Sequence, residues 1–165
     1  MAALTEDQQR AQLLRRAARR FATGVTVVAA RYDGGTHALT ANSFVTLSLH
    51  PPLVGISVRP EGRMRRHIEL AGRFGISVLG AGQIDYARHF ASPLRLELLD
   101  RMPPLTTDDP PRVPSCVAFF ACDFAHIHPV GDHDLIVGSV VTCDTTDLEV
   151  SPLIFLDGEF QSDLR

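Results

Sequence analysis

Thr40, Asn42 and Ser43 stand together in Thr40-Ala41-Asn42-Ser43-Phe44. Small, hydroxyl-bearing residues there let a flat ligand lie against the backbone, and the three polar side chains supply directional hydrogen bonds. Turns favour Asn and Ser in any case, so the segment alone also reads as turn chemistry. The same two readings apply to Gly131-Asp132-His133, in a turn that feeds a strand. His126 and His128 are two apart on a predicted strand and face one way. A metal there would need a third ligand, the nearest being His133, and the stronger reading is polar residues closing a strand before a turn at Pro129. Gly80-Ala81-Gly82 follows a predicted strand and opens a helix as a dinucleotide fingerprint does. Asp85 stands where the third glycine would be, however, and no βαβ unit surrounds it, so a tight turn with a helix start is the better account. Ser43, Ser48 and Ser115 have no Gly-x-Ser-x-Gly setting that would make one of them a nucleophile.

Composition narrows the chemistry further. All 16 basic residues are arginine. The lack of lysine excludes a Schiff-base mechanism and a P-loop, so an anionic ligand must be held by Arg, backbone N–H groups or hydroxyls. A net charge of −3 argues against a nucleic-acid partner. Cys116, Cys122 and Cys143 are odd in number and lack Cys-x-x-Cys spacing, against a structural zinc site or a disulfide framework. With 165 residues, 45% of them apolar, one domain spanning residues 1–165 is expected. The charged amino terminus has no apolar signal region, and the longest apolar run, Cys116 to Cys122, is too short to cross a bilayer. A cytoplasmic protein without a membrane partner is the expectation.

The elements that must position these residues are mostly strands. Thr5 and Gln8 form a capping box for a helix from Thr5 to Phe21, with an apolar stripe of Leu14, Ala17, Ala18 and Phe21, ended by Gly24. Val25 to Tyr32 and Thr36 to Ala41 flank the hairpin signal Asp33-Gly34-Gly35. Phe44 to Leu49, Leu53 to Val58 and Phe74 to Leu79 read as strands, Glu61 to Ala71 and Gly82 to Ala91 as short helices. Residues 101–114 carry five prolines and read as an irregular loop. Ser115 to His126, Asp134 to Cys143 and Pro152 to Leu156 close the chain as strands. Helices do not alternate regularly with strands, which excludes a doubly wound sheet. Several strands are apolar on both faces, which suits a mainly β, antiparallel barrel covered by peripheral short helices or a partner subunit.

Taken in order, several segments resemble the short-chain flavin reductase family. They are Phe21-Ala22-Thr23-Gly24-Val25-Thr26-Val27-Val28, Thr40-Ala41-Asn42-Ser43-Phe44 and Ser48-Leu49-His50-Pro51-Pro52-Leu53-Val54, then Gly72-Arg73-Phe74 with Ser77-Val78-Leu79, Gln83 and Arg88-His89-Phe90-Ala91. Gly131-Asp132-His133 and Pro152-Leu153-Ile154-Phe155 with Gly158-Glu159-Phe160 complete the match, from about residue 16 to 160. The resemblance implies an antiparallel Greek-key split β-barrel that forms a homodimer. It also implies hydride transfer from NADH or NADPH to FMN or FAD, often to supply reduced flavin to a separate monooxygenase.

Carried onto this sequence, the resemblance puts Thr40, Ala41, Asn42 and Ser43 beside the isoalloxazine ring. Val58 to Arg63 should reach the ribityl chain and phosphate. Where many relatives have Ser and Thr, this chain reads Arg59-Pro60-Glu61-Gly62-Arg63-Met64, so phosphate binding shifts to Arg59, Arg63 and the backbone around Gly62. Ser48, Ser77, Arg88 and Phe90 complete the flavin-binding set. His133 faces the open side of the flavin as a nicotinamide contact, with Phe160 walling the same pocket. In such an enzyme the flavin carries the redox chemistry and the protein sets the geometry. That fits a sequence with no triad, metal set or carboxylate pair. A non-catalytic flavin-binding module, or a flavoenzyme that keeps its flavin and reduces another acceptor, are the alternatives.

Overall fold

The structure is a computed structural model, and it describes residues 4–92, 104–146 and 149–163. The chain begins with α1 (Glu6–Ala18) and a two-residue strand β1 (Thr23–Gly24), then the hairpin β2 (Thr26–Tyr32) and β3 (Gly35–Ala41). Next come β4 (Val45–Leu49), β5 (Pro52–Val58), α2 (Arg63–Ala71), β6 (Arg73–Val78) and α3 (Ile84–Ala91). The long hairpin β7 (Ala118–Val130) and β8 (His133–Thr145) and the short strands β9 (Ile154–Leu156) and β10 (Glu159–Gln161) follow. The predicted hairpin turn forms with Asp33 at φ 49° and Gly34 at φ 73°, a pair of left-handed residues that joins antiparallel strands with the right twist.

Seven strands make one antiparallel sheet in the order β3-β2-β6-β7-β8-β5-β4. Its two edge strands are consecutive in the chain, joined only by Asn42, Ser43 and Phe44. Laid flat, the sheet would hold its edges roughly 29 Å apart, whereas so short a link spans at most about 14 Å. The sheet therefore curls into a barrel, with that link as its seam. Ser43 fastens it: its Oγ accepts from the Ser57 backbone N–H (3.0 Å) and donates to the Ser57 carbonyl (3.2 Å) on β5. Register shifts at Ala121/Cys122 and Phe124/His126 help β7 bend around the curve.

Curling gathers Val28, Ile56, Phe74, Ile76, Cys122 and Ile136 from five strands into one interior cluster. Met64 and Ile68 of α2 join it, so α2 plugs one side of the barrel. Outside, α3 packs Ala87 and Tyr86 against Val27, Ala29 and Ala38 in a second cluster. A separate three-stranded sheet, β1-β9-β10, pairs Thr23 with Phe155 and Gly24 with Ile154. The mainly β, split-barrel expectation holds.

Several boundaries differ from the sequence reading. α1 stops at Ala18, six residues before Gly24, because the following chain is drawn into the small sheet: Arg19 accepts from the Asp157 N–H and Arg20 pairs with Asp157 at 2.6 Å. Its apolar stripe faces solvent, with Leu14 70% and Phe21 75% exposed. β7 runs through Pro129, which pairs with Asp134, and the turn falls at Gly131 and Asp132. The strands β1 and β10, of two and three residues, went unpredicted. Within the proline-rich stretch, residues 101–103 lie outside the described residues. Among the described residues no helix is long and apolar enough to cross a membrane.

Candidate functional site

Two hollows open on either side of the seam. The first is a cavity of about 280 Å³ lined by Phe21, Thr23 and Gly24 from the entry to the barrel and by Thr26, Asn42, Phe44 and Val78 from its wall. Thr26 holds this wall in place by donating its hydroxyl to the Ala41 carbonyl at 2.7 Å. Phe44 is fixed by its ring contact with Phe120, 5.1 Å between centroids. The lining mixes apolar groups with Thr23, Thr26 and the exposed Asn42.

The second hollow, about 270 Å³, is lined by His37, Leu39, Val58, Arg59, Gly62 and Arg63, over Met64. A tight turn builds it. The Gly62 N–H donates to the Arg59 carbonyl at 3.0 Å, and a Cβ on Gly62 would come within 2.9 Å of that oxygen. Gly62 is also the N-cap of α2 and gives it no side-chain cap, so the first N–H groups of the helix face outward beside Arg63. Arg65, on the same helix, is fully engaged: it pairs with Asp134 at 2.6 Å and with Glu69 at 3.0 Å. Arg59 and Arg63 are exposed, and among the described residues neither has a carboxylate partner. Because Ser43 bonds to Ser57, Asn42 and Val58 are at most about 15 Å apart at the backbone.

His133 lies at the same end. Its neighbour Asp134 pairs with Val58 on β5. The His133 Nδ1 is 2.9 Å from Asp132 Oδ1, and the exposed Asp132 carboxyl is held below its usual range chiefly by that hydrogen bond. The bond orients the ring and leaves Nε2 as the nitrogen open to a ligand.

The remaining predicted residues stand elsewhere. Thr40 donates to the Ala87 carbonyl of α3 at 2.7 Å and faces the outer cluster, while Ala41 belongs to the interior. Ser77 shares a cross-strand row with Val27 and Thr40, is 1% exposed, and accepts from the Val113 N–H. Phe90 packs on Tyr86 and His89, with the exposed Arg88 beside it on α3. Ser48 sits on β4 opposite Leu53. Phe160 contacts Phe155 and lines a separate hollow with Ala81 and Ile84. His126 and His128 are exposed, their ring centroids 6.0 Å apart. Sequence reading gave no role to Phe21, Thr23 or His37. The first two lie in the quoted Phe21-to-Val28 segment, and His37 shares the face of Leu39, so their positions were there to be found.

A model of the flavin reductase like domain matches residues 18–162. An NADH-dependent flavin reductase from a Rhodococcus species is 36% identical over 152 residues, covering 90% of this chain and 84% of that protein. The reductase component of the 4-hydroxyphenylacetate 3-monooxygenase of Thermus thermophilus is 35% identical, covering 82% of this chain and 85% of its own. Among solved structures, the NADH:FAD oxidoreductase of Streptomyces globisporus with NAD and FAD fragments superposes with a TM-score of 0.83 at 34% identity, covering 97% of this chain and 96% of that one.

Proposed function

The chain belongs to the flavin reductase like domain family, and from that premise we propose that it transfers hydride from NADH to FMN or FAD and hands the reduced flavin to a partner monooxygenase. The observation that carries the reading is the pair of guanidinium groups, Arg59 and Arg63, which have no carboxylate partner among the described residues and stand beside an uncapped helix start. These residues fit a flat ring joined to an anionic tail. The arginines and the first N–H groups of α2 hold the phosphate. Asn42 meets the polar edge of the ring, and Ser43 keeps that segment in register with β5. Bound flavin supplies the hydride acceptor. His133, its Nδ1 turned to Asp132, offers Nε2 to the carboxamide of the nicotinamide and so orients it. Relatives named as an FAD reductase and as an FMN reductase both resemble the chain, so both flavins belong to the proposal.

The chain acts as a single cytoplasmic domain and as a homodimer. Val45 and Leu47 are each 44% exposed and Leu49 72%, on a strand at the sheet edge, which leaves an apolar face for a second copy. The two-sided apolar strands Leu53 to Val58 and Cys116 to Phe120, which the sequence offers as the reason for a dimer, are instead largely covered within the chain: Val54, Ile56, Val58 and Cys116 are buried and Arg112 lies 4.7 Å over the Phe119 ring. Light scattering should give a dimer, and a fully active monomer at micromolar concentration overturns that part.

The deciding assay follows NADH and NADPH oxidation with FMN, FAD and riboflavin supplied separately. Rapid turnover with added flavin, and flavin lost on purification, supports an exchangeable flavin substrate. Flavin that co-purifies and turns over only with another acceptor favours a self-contained flavoenzyme, and flavin binding without NADH oxidation leaves a non-catalytic carrier.

A further inference from the structure

We propose that Thr23 is a ring-binding residue: its hydroxyl hydrogen-bonds the polar edge of the isoalloxazine seated in the cavity beside the seam. The inference rests on the flavin reductase reading above and adds a contact to it. Thr23 Oγ1 is a buried side-chain oxygen with no hydrogen-bond partner among the described residues. Leaving a hydroxyl so placed costs stability, so native structures pair such groups or use them. Thr23 itself belongs to the lining of the same cavity as Asn42.

The chain also takes trouble to hold Thr23 there. β1 is only two residues long, yet it is pinned on one side by β9, through Thr23 opposite Phe155, and that strand is backed by β10 through the Phe155–Phe160 contact. On the other side the Val25 carbonyl accepts from the Leu79 N–H at 2.9 Å, tying the segment to the end of β6. The small carboxy-terminal sheet thus fixes one wall of the cavity and the seam fixes the other. Thr26, the other hydroxyl in the lining, is already committed to the Ala41 carbonyl, which leaves Thr23 and Asn42 to meet a ring edge bearing both carbonyl and N–H groups. A threonine hydroxyl can donate to the one or accept from the other.

The test compares Thr23→Val, which keeps the shape and removes the hydroxyl, with Thr23→Ser, which keeps the hydroxyl. Binding of riboflavin and of FMN is read from flavin fluorescence, and melting is measured on the flavin-free protein. Thr23→Val should weaken both flavins equally, by about tenfold. It should leave the melting temperature of the flavin-free protein unchanged or raised, because it removes an unpaired buried hydroxyl. Thr23→Ser should bind both flavins within about twofold of wild type. Unchanged flavin affinity in Thr23→Val, or a rise confined to the KM for NADH, overturns the inference. So does a fall in melting temperature that accompanies weaker binding in both variants. A wild-type chain that binds neither flavin overturns the reductase reading and this inference together, whereas wild-type binding with Thr23→Val unaltered overturns this inference alone.

Discussion

The interior of the barrel and its rim are built from the same strands under opposite rules. Inside, every group is enclosed: Phe74, Ile76, Ile56 and Ile136 are fully buried, and the approach of Phe74 to β8 leaves no room at Gly138 for a methyl group. At the rim, groups that could have been paired are not, among the described residues: Arg59 and Arg63 lack carboxylates, the buried Thr23 Oγ1 lacks a partner, and His133 turns one nitrogen outward. The contrast separates what holds the protein together from what it does. Interior substitutions should act on stability, and rim substitutions on ligands, with little exchange between the two.

The largest effect should come from Gly138→Ala. The new Cβ would lie 2.6 Å from Phe74 Cζ and 2.9 Å from Cys122 Cβ, and neither can withdraw from a packed core. A loss of about 3 kcal/mol in denaturant unfolding is expected, and a loss under about 0.5 kcal/mol would mean that the interior is looser than it looks. Next are Arg59→Ala and Arg63→Ala. Each should weaken FMN by about 1.5–3 kcal/mol, the range for a charged hydrogen bond, and leave riboflavin, which has no phosphate, nearly unaffected. Equal losses for both flavins would assign these arginines to structure and erase the distinction between rim and interior.

A smaller interior effect depends on pH. Burial, first, and then the charges of Asp123 and Cys143 push the Cys122 thiol up to about 12. The folded state then keeps its proton while the unfolded chain loses it, so this contribution is intact below about pH 8.5 and declines as pH rises toward 12. At pH 9.5 the loss should be about 1.4 kcal/mol, measurable as a steeper alkaline decline for wild type than for Cys122→Ala. Parallel declines in the two proteins would refute it. Smallest is His133→Ala, which should raise the KM for NADH several-fold, the worth of roughly one neutral hydrogen bond. Flavin affinity and melting temperature should stay at the wild-type level, and their joint fall would make His133 a turn cap.

The sequence reading recovered most of the interior and part of the rim, for different reasons. Strands such as Leu53 to Val58 and the Asp33-Gly34 turn are set by local pattern, apolar alternation and tolerance of positive φ, which a sequence displays directly. α1 is the counter-example. Its capping box formed as read, with Gln8 N–H to Thr5 Oγ1 at 3.3 Å, yet its length was overestimated because the end is set by Asp157, far along the chain. β1 and β10 are too short for any periodicity and exist only through pairing with β9. Arg59 and Arg63 stand out in the sequence as a charged pair around a glycine turn, and the structure sets both on the lining of one hollow. Thr23 does not stand out, since an unpaired hydroxyl is a property of its surroundings and leaves no mark on residue type.

If the proposed flavin site is right, the seam at Asn42, Ser43 and Phe44 makes ligand occupancy and barrel opening one equilibrium. A molecule that gripped Asn42 on one side and Arg59 on the other would tie the link after β3 to the end of β5. By mass action it adds about 2.7 kcal/mol against their parting when present at a hundred times its dissociation constant. The Ser57 amide proton, held by Ser43 Oγ at 3.0 Å, is the local gauge of that tie. If the seam parts as a local opening, its hydrogen exchange should slow about a hundredfold under that ligand excess, while amides buried along β6 exchange by global unfolding.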